Sequence, residues 1–175
     1  MNNAHQAAQF AVTLEKIGNQ ALLECRALPD DLLNWSPAFS TSCTPMLLAL
    51  ELAQVIENWV LVPVGGRQPA LMDHVTGCHS PATFPILSAC YAEWIKSVHT
   101  ILDSFPNALL DLLVEKQSLA QKLPSQARPT VHTCLLTAVE RSALHLGEIQ
   151  ILCHTVMWNT MPAGKSAQSY LRGIV

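Results

Sequence analysis

At 175 residues the chain is long enough to bury one substantial core, and its length gives no reason to expect a second domain. Half of its residues are hydrophobic and only 13% are charged, about half the charge of an average soluble protein, so a further buried face, and with it a homodimer, is expected. Ten Lys and Arg against thirteen Asp and Glu give a formal charge of −3, and no basic cluster occurs, which disfavours nucleic acid as a partner.

From about Ala4 to Leu28 the apolar positions Ala8, Val12, Leu14, Ile17, Ala21, Leu22, Cys25 and Leu28 recur at helical spacing, and Pro29 ends the pattern. Asp30 to Ser42 reads as a connector with a short helical turn in which Leu32, Leu33 and Trp35 tuck under the core. Thr44-Pro45 is a strong helix start, because the Thr side chain accepts from a free first-turn amide and Pro at the first position loses no bond. The helix that follows runs to about Val62, with an inward stripe of Leu48, Glu51, Val55, Trp59 and Val62. Its apolar run is interrupted by Glu51, Gln54, Glu57 and Asn58, too polar and too short to span a bilayer, so no membrane is expected.

Pro63 to Arg67 ends that helix, and Pro69 to Pro81 reads as a long loop holding His74, Cys78 and His79. That spacing matches no structural zinc pattern. A third long helix is expected from about Thr83 or Pro85 to Phe105 through Leu87, Cys90, Trp94, Val98 and Ile101, with Pro106 as its break. Asn107 to Leu123 reads as a shorter helix on Leu109, Leu112, Leu113 and Leu119. The fourth long helix runs from about Thr130 to Trp158 and stops at Met161-Pro162-Ala163-Gly164. No strand alternation and no solenoid period is visible. The expectation is one all-α domain over residues 1–164, a four-helix bundle with a short extra helix between the third and fourth long helices, and a C-terminal tail over 165–175.

The start, Met1 to Gln6, lacks the basic and apolar regions of a secretory signal, so a cytoplasmic location is expected. Cys25, Cys43, Cys78, Cys90, Cys134 and Cys153 are scattered without a C-x-x-C pair and read as small buried hydrophobes with reduced thiols. His99, His132 and His154 read as isolated helical residues, and Trp35, Trp59, Trp94 and Trp158 as packing residues, Trp158 being able also to rim a pocket.

The polar anomaly lies in the last long helix. Strides of four and three from Val131 pass through Leu135, Ala138, Ser142, His145, Ile149, Leu152 and Val156, an apolar stripe that His145 interrupts and that Arg141 and Glu148 flank. Glu51 interrupts the stripe of the second long helix in the same way. A lone ion in an apolar interior costs several kcal/mol, so Glu51 and Arg141 are expected to meet as a buried ion pair with His145 beside them. A His145, Glu51 and Glu148 ligand set would suit a divalent metal, but the Arg141 cation within a turn opposes one.

Two segments resemble the DinB/YfiT superfamily. Thr44-Pro45-Met46-Leu47-Leu48-Ala49-Leu50-Glu51-Leu52-Ala53 looks like the family's second helix, where a small residue and Pro lead to an L-L-x-H-L-A element. Arg141 to Gln150, with His145-Leu146-Gly147-Glu148-Ile149 at its centre, is similar to the family's H-x-x-x-H-[RL]-G-[QE]-I element. The helix order agrees, as does an acidic, Leu-rich segment such as Asn107 to Val114, so the likeness covers most of the chain. The resemblance implies a four-helix bundle of DinB/YfiT type with a metal on three histidines, serving thiol transferases and proteins described as metal-dependent hydrolases. Glu51 stands at the first of those histidines and Arg141 at the second; His145 alone keeps its identity.

Two functional readings follow. In the first, the metal site is lost, no cofactor is bound, and Glu51, Arg141 and His145 form the base of a cleft in a small-molecule-binding or scaffold protein. In the second, His145 with Glu51 or Glu148 still holds a divalent metal, Ni or Zn, for a thiol S-transferase or hydrolase. A metal-free variant has His145 as a general base positioned by Glu51.

Overall fold

The computed structural model describes residues 6–36, 44–68, 83–114 and 128–160. Pro69 to Pro81 with its His74, Cys78 and His79, Cys43, and the tail over 165–175 lie outside those residues. Among the described residues the architecture is all-α, with one isolated β-bridge between Leu113 and Thr130.

Helix α1 spans Gln6–Arg26 and buries Ala7, Ala11, Leu14, Gly18, Ala21 and Cys25, a three-and-four rhythm that gives it one inward face. The short α2, Asp30–Leu33, is the helical turn expected after Pro29, and it buries Leu33. Helix α3, Pro45–Ile56, starts as its sequence dictates: Thr44 is extended and its Oγ accepts from the Leu47 amide at 3.0 Å. Eight of its twelve residues are buried, because it packs against α1 and against the two long helices that follow. The chain then winds into a π turn, Glu57–Leu61. Gly66, at φ 65°, turns the chain away in the left-handed region that glycine tolerates.

Helix α4, Phe84–Leu102, buries Leu87, Tyr91, Trp94, Val98 and Leu102. Tyr91 is fully enclosed and donates its hydroxyl to the Ala49 carbonyl at 2.7 Å, which ties α4 to α3. The last helix, α5, runs Val131–Thr160 and packs on α1 and α3. Its buried residues include Val131, Leu135, Ala138, Ser142, Ile149, Leu152 and Val156, the stripe expected from the sequence with His145 as the half-buried member. Glu24 of α1 accepts from Gln20 at 2.9 Å and from Gln150 of α5 at 3.2 Å, so a polar clasp fixes the register of those two helices.

Two expectations need correction. The α-helix expected from Asn107 is, over its described part, a 3-10 turn of three residues, Asn107–Leu109, followed by a turn at Leu110 and Asp111 and by the bridged residue Leu113. The backbone there pairs with the lead-in to α5, the Val114 amide donating to Pro129 and the Val131 amide to Leu112, so the segment spends its hydrogen bonds across the chain instead of along a helix. Of the leucines that carried the helical reading, Leu109, Leu112 and Leu113 are exposed, while Leu110 and Val114 are buried. The inward stripe of α3 is also displaced: Leu48, Val55 and Trp59 are buried, but Leu52 and Ile56 are the fully enclosed positions, and Glu51 and Val62 are only half-buried.

Among the described residues no helix is long and apolar enough to cross a membrane. Cys25, Cys134 and Cys153 are buried free thiols and Cys90 is a half-buried one. Burial pushes the Cys134 thiol up to about 11. The contact with Cys25, followed by burial, drives Cys153 far above the ordinary thiol range, so these groups stay protonated and unreactive.

Candidate functional site

The three positions singled out by the sequence lie on α3 and α5, which pack directly on each other. His145 sits at the edge of the α5 core stripe with its side chain 22% exposed, and its Nδ1 lies 2.9 Å from Glu148 Oε2 one turn along. This is the polar strip that helical spacing predicts. The carboxylate orients the ring and favours the tautomer in which Nε2 accepts a proton.

Arg141 does not join that strip as expected. It is exposed, and its guanidinium carbon lies 5.4 Å from the centroid of the Trp59 ring, in range for a cation–π contact. Trp59 is 2% exposed, so the ring beneath that contact is held in the core. No hydrogen bond or ion pair joins Glu51 to Arg141 or to His145. Glu51 lies eight residues before Trp59, about 12 Å back along the helix at 1.5 Å per residue, and Arg141 is drawn toward the Trp59 end. The buried Glu51–Arg141 pair is therefore replaced by an exposed cation on an aromatic face and a half-buried acid elsewhere. The physical reason is that a long Arg stem can lie over apolar surface while its head stays in water, which is cheaper than burying both charges.

Among the described residues the acid that the fold does bury is Glu57, 5% exposed, at the first position of the π turn. Helix α3 is apolar nearly all round, so a 3.6-residue count along it does not single out the inward acid. Beside it lies Cys90 of α4, whose thiol is raised by burial and then by the Glu57 and Glu93 carboxylates. A second polar group turns inward on α5: the Ser142 Oγ is buried with no hydrogen-bond partner among the described residues. Such a group requires explanation, since a buried hydroxyl without a partner costs about 1–3 kcal/mol.

Among the described residues no three His, Cys, Asp or Glu side chains come together as metal ligands. His145 and Glu148 engage each other, Glu51 stands apart, and the Arg141 cation lies one turn from His145. These residues do not fit the three-ligand ion that the DinB/YfiT resemblance implies.

Compared with known protein families, with curated proteins and with solved structures, the chain has no match. The likeness to the DinB/YfiT superfamily thus rests on the two sequence segments and on the helix order.

Two of the helical histidines are less isolated than their spacing implied. His99 of α4 lies between Asp103, at 3.0 Å from Nδ1, and Glu15 of α1, at 3.1 Å from Nε2. His132 meets Gln6 at 3.2 Å and the edge of Phe10. The His99–Asp103 contact lies within one turn of α4, whereas His99–Glu15 and His132–Gln6 join residues far apart in the chain and are announced by no helical stripe.

Proposed function

We propose that the chain is a four-helix bundle of DinB/YfiT type that has lost the family's metal and acts as a small-molecule-binding or scaffold protein. The observation that carries this reading is the stacking of Arg141 on Trp59. At the position of the second histidine the protein supplies its own fixed positive charge, anchored on a buried ring. A divalent ion brought beside it would be repelled, and the interaction is strong at short range even in a partly solvated site.

The rival reading, a divalent-metal-dependent thiol S-transferase or hydrolase on His145 with Glu51 or Glu148, is favoured by one contact, the His145–Glu148 pair at 2.9 Å. A carboxylate behind an imidazole is also what a ligating or proton-transferring histidine needs. Calorimetric titration with Ni(II) and Zn(II) separates the two. The proposed reading expects no stoichiometric binding by the natural chain and a gain of nickel binding in the Glu51→His, Arg141→His double variant. Stoichiometric binding by the natural chain that disappears in His145→Ala establishes the rival.

A further inference from the structure

Helices α1 and α5 run side by side in the same direction. Gln6 Nε2 lies 3.2 Å from His132 Nε2, and Gln150 Nε2 donates to Glu24 Oε1 at 3.2 Å; the members of both pairs are 126 residues apart. That offset is unchanged from Gln6 to Glu24, about 27 Å of helix at 1.5 Å per residue, so the two backbones keep one register. At the same offset Cys25 comes level with Ile151, and Cys153 stands about 3 Å further along. Both cysteines are 0% exposed, and their thiols adjoin. The inward face of α1 carries Ala7, Ala11, Gly18 and Ala21 with Cys25, small residues that let a neighbouring backbone come close.

Two adjoining thiols in an apolar interior have two chemistries open to them. As a soft-metal pair they would shed both protons and leave thiolates in the core, near the Glu24 carboxylate that already opposes ionisation of Cys153. As a disulfide they carry no charge. The bond asks for Cα atoms about 4.4–6.8 Å apart, an approach that the small residues of α1 favour. The charge argument selects the disulfide.

In the closed fold both groups stay protonated and shielded, so oxidation begins where a helix opens. Cys25 is the next-to-last residue of α1, and helix ends open locally at lower cost than the middle of a core helix.

We propose that Cys25 and Cys153 form a modification site at which a low-molecular-weight disulfide installs a cross-link, stapling α1 to α5. When the end of α1 opens, the Cys25 thiolate attacks one sulfur of the reagent, whose S–S bond breaks as a mixed disulfide forms. The departing thiolate takes up the proton that Cys25 released. As the helix recloses, the Cys153 sulfur attacks Cys25 Sγ and displaces the second half of the reagent, which leaves with the Cys153 proton. Two protein thiols are oxidised to one disulfide and the reagent is reduced to two thiols, so no further oxidant enters. The cross-link closes a loop over most of the chain, which restricts the unfolded state and stabilises the folded one. Neither thiol belongs to the candidate site on α3 and α5, so the inference goes beyond the function proposed above and does not depend on it.

The test is incubation of the natural full chain with oxidised glutathione under native conditions, followed by alkylation in urea and mapping of the unreduced peptides. The Cys25 and Cys153 peptides are joined, and the joined species disappears on reduction. The oxidised chain melts about 5–15 °C above the reduced chain. Cys153→Ala loses both the cross-link and the oxidation-dependent rise. Recovery of Cys25 and Cys153 in alkylated form overturns the proposal, as does their joining to Cys90 or Cys134 instead of to each other. A cross-link that lowers the melting temperature overturns the staple. Should Cys153→Ala fail to fold, the peptide map of the natural chain decides alone.

Discussion

The guanidinium carbon of Arg141 stands 5.4 Å from the centroid of the Trp59 ring, and this contact, rather than an ion pair with Glu51, is what holds the charge at that position. An exposed cation on an aromatic face contributes about 0.5–1 kcal/mol. Arg141→Ala is expected to cost no more than that, Arg141→Lys less, and Trp59→Ala about 3–5 kcal/mol through its buried ring. Urea denaturation of the two Ala variants and their double gives the coupling directly. A loss of several kcal/mol for Arg141→Ala alone would mean that the side chain neutralises a buried acid after all.

The burial of Glu57 reverses the order that the sequence gives to the two acids of the second long helix. Glu57→Ala is expected to cost about 1–3 kcal/mol by disturbing an enclosed polar group, and Glu51→Ala to stay within about 0.5 kcal/mol. Glu57→Gln also removes a negative charge that holds the Cys90 thiol up. Peptide-resolved alkylation across a pH series should find Cys90 reacting at lower pH in that variant; an unchanged profile rejects the Glu57 contribution.

What was legible follows from how many faces each helix buries. Helix α5 buries one stripe, so strides from Val131 find Leu135, Ala138, Ser142, Ile149, Leu152 and Val156 correctly. Helix α3 is apolar nearly all round and touches three neighbours, so periodicity cannot choose between Glu51 and Leu52 as the inward residue. The Thr44 cap needs only local chemistry and was readable, whereas the π turn that follows α3 leaves no sequence mark. The segment after Asn107 has helical spacing in its leucines, yet long-range backbone pairing to the start of α5 overrides it. In the candidate site, the His145–Glu148 pair lies within one turn and was foreseen; the Arg141–Trp59 contact crosses between helices and depends on rotamer and tilt, which no stripe encodes.

Gly18 lies where α1 approaches the Trp94 ring of α4 closely. A Cβ built there would lie 2.8 Å from Trp94 Cη2 and 2.9 Å from Cζ2, and Trp94 is held in the core at 2% exposure. Gly18→Ala is expected to lose about 1–3 kcal/mol by overpacking, despite the better helix propensity of Ala. Trp94→Phe deletes the two ring atoms concerned, so the double variant should be more stable than the sum of the single losses predicts. Strict additivity in thermal melts would place the strain elsewhere.

His99 gives the fold a pH-dependent clasp between α1 and α4. Partial burial lowers its pKa, but the hydrogen bonds to Asp103 and Glu15, reinforced by both carboxylate charges, outweigh that and leave it raised. In the unfolded chain the same imidazole titrates near about 6.5. The folded state therefore holds the proton more tightly, and stability rises as pH falls toward the unfolded value. The clasp is fully present below about pH 6.5 and is lost as pH climbs through the raised folded value. Melting temperatures of the natural chain and of His99→Gln, compared across that window, should differ most on the acid side and converge on the alkaline side. A gap that is constant, or that widens with pH, would show that the imidazolium is not what joins Glu15 to Asp103.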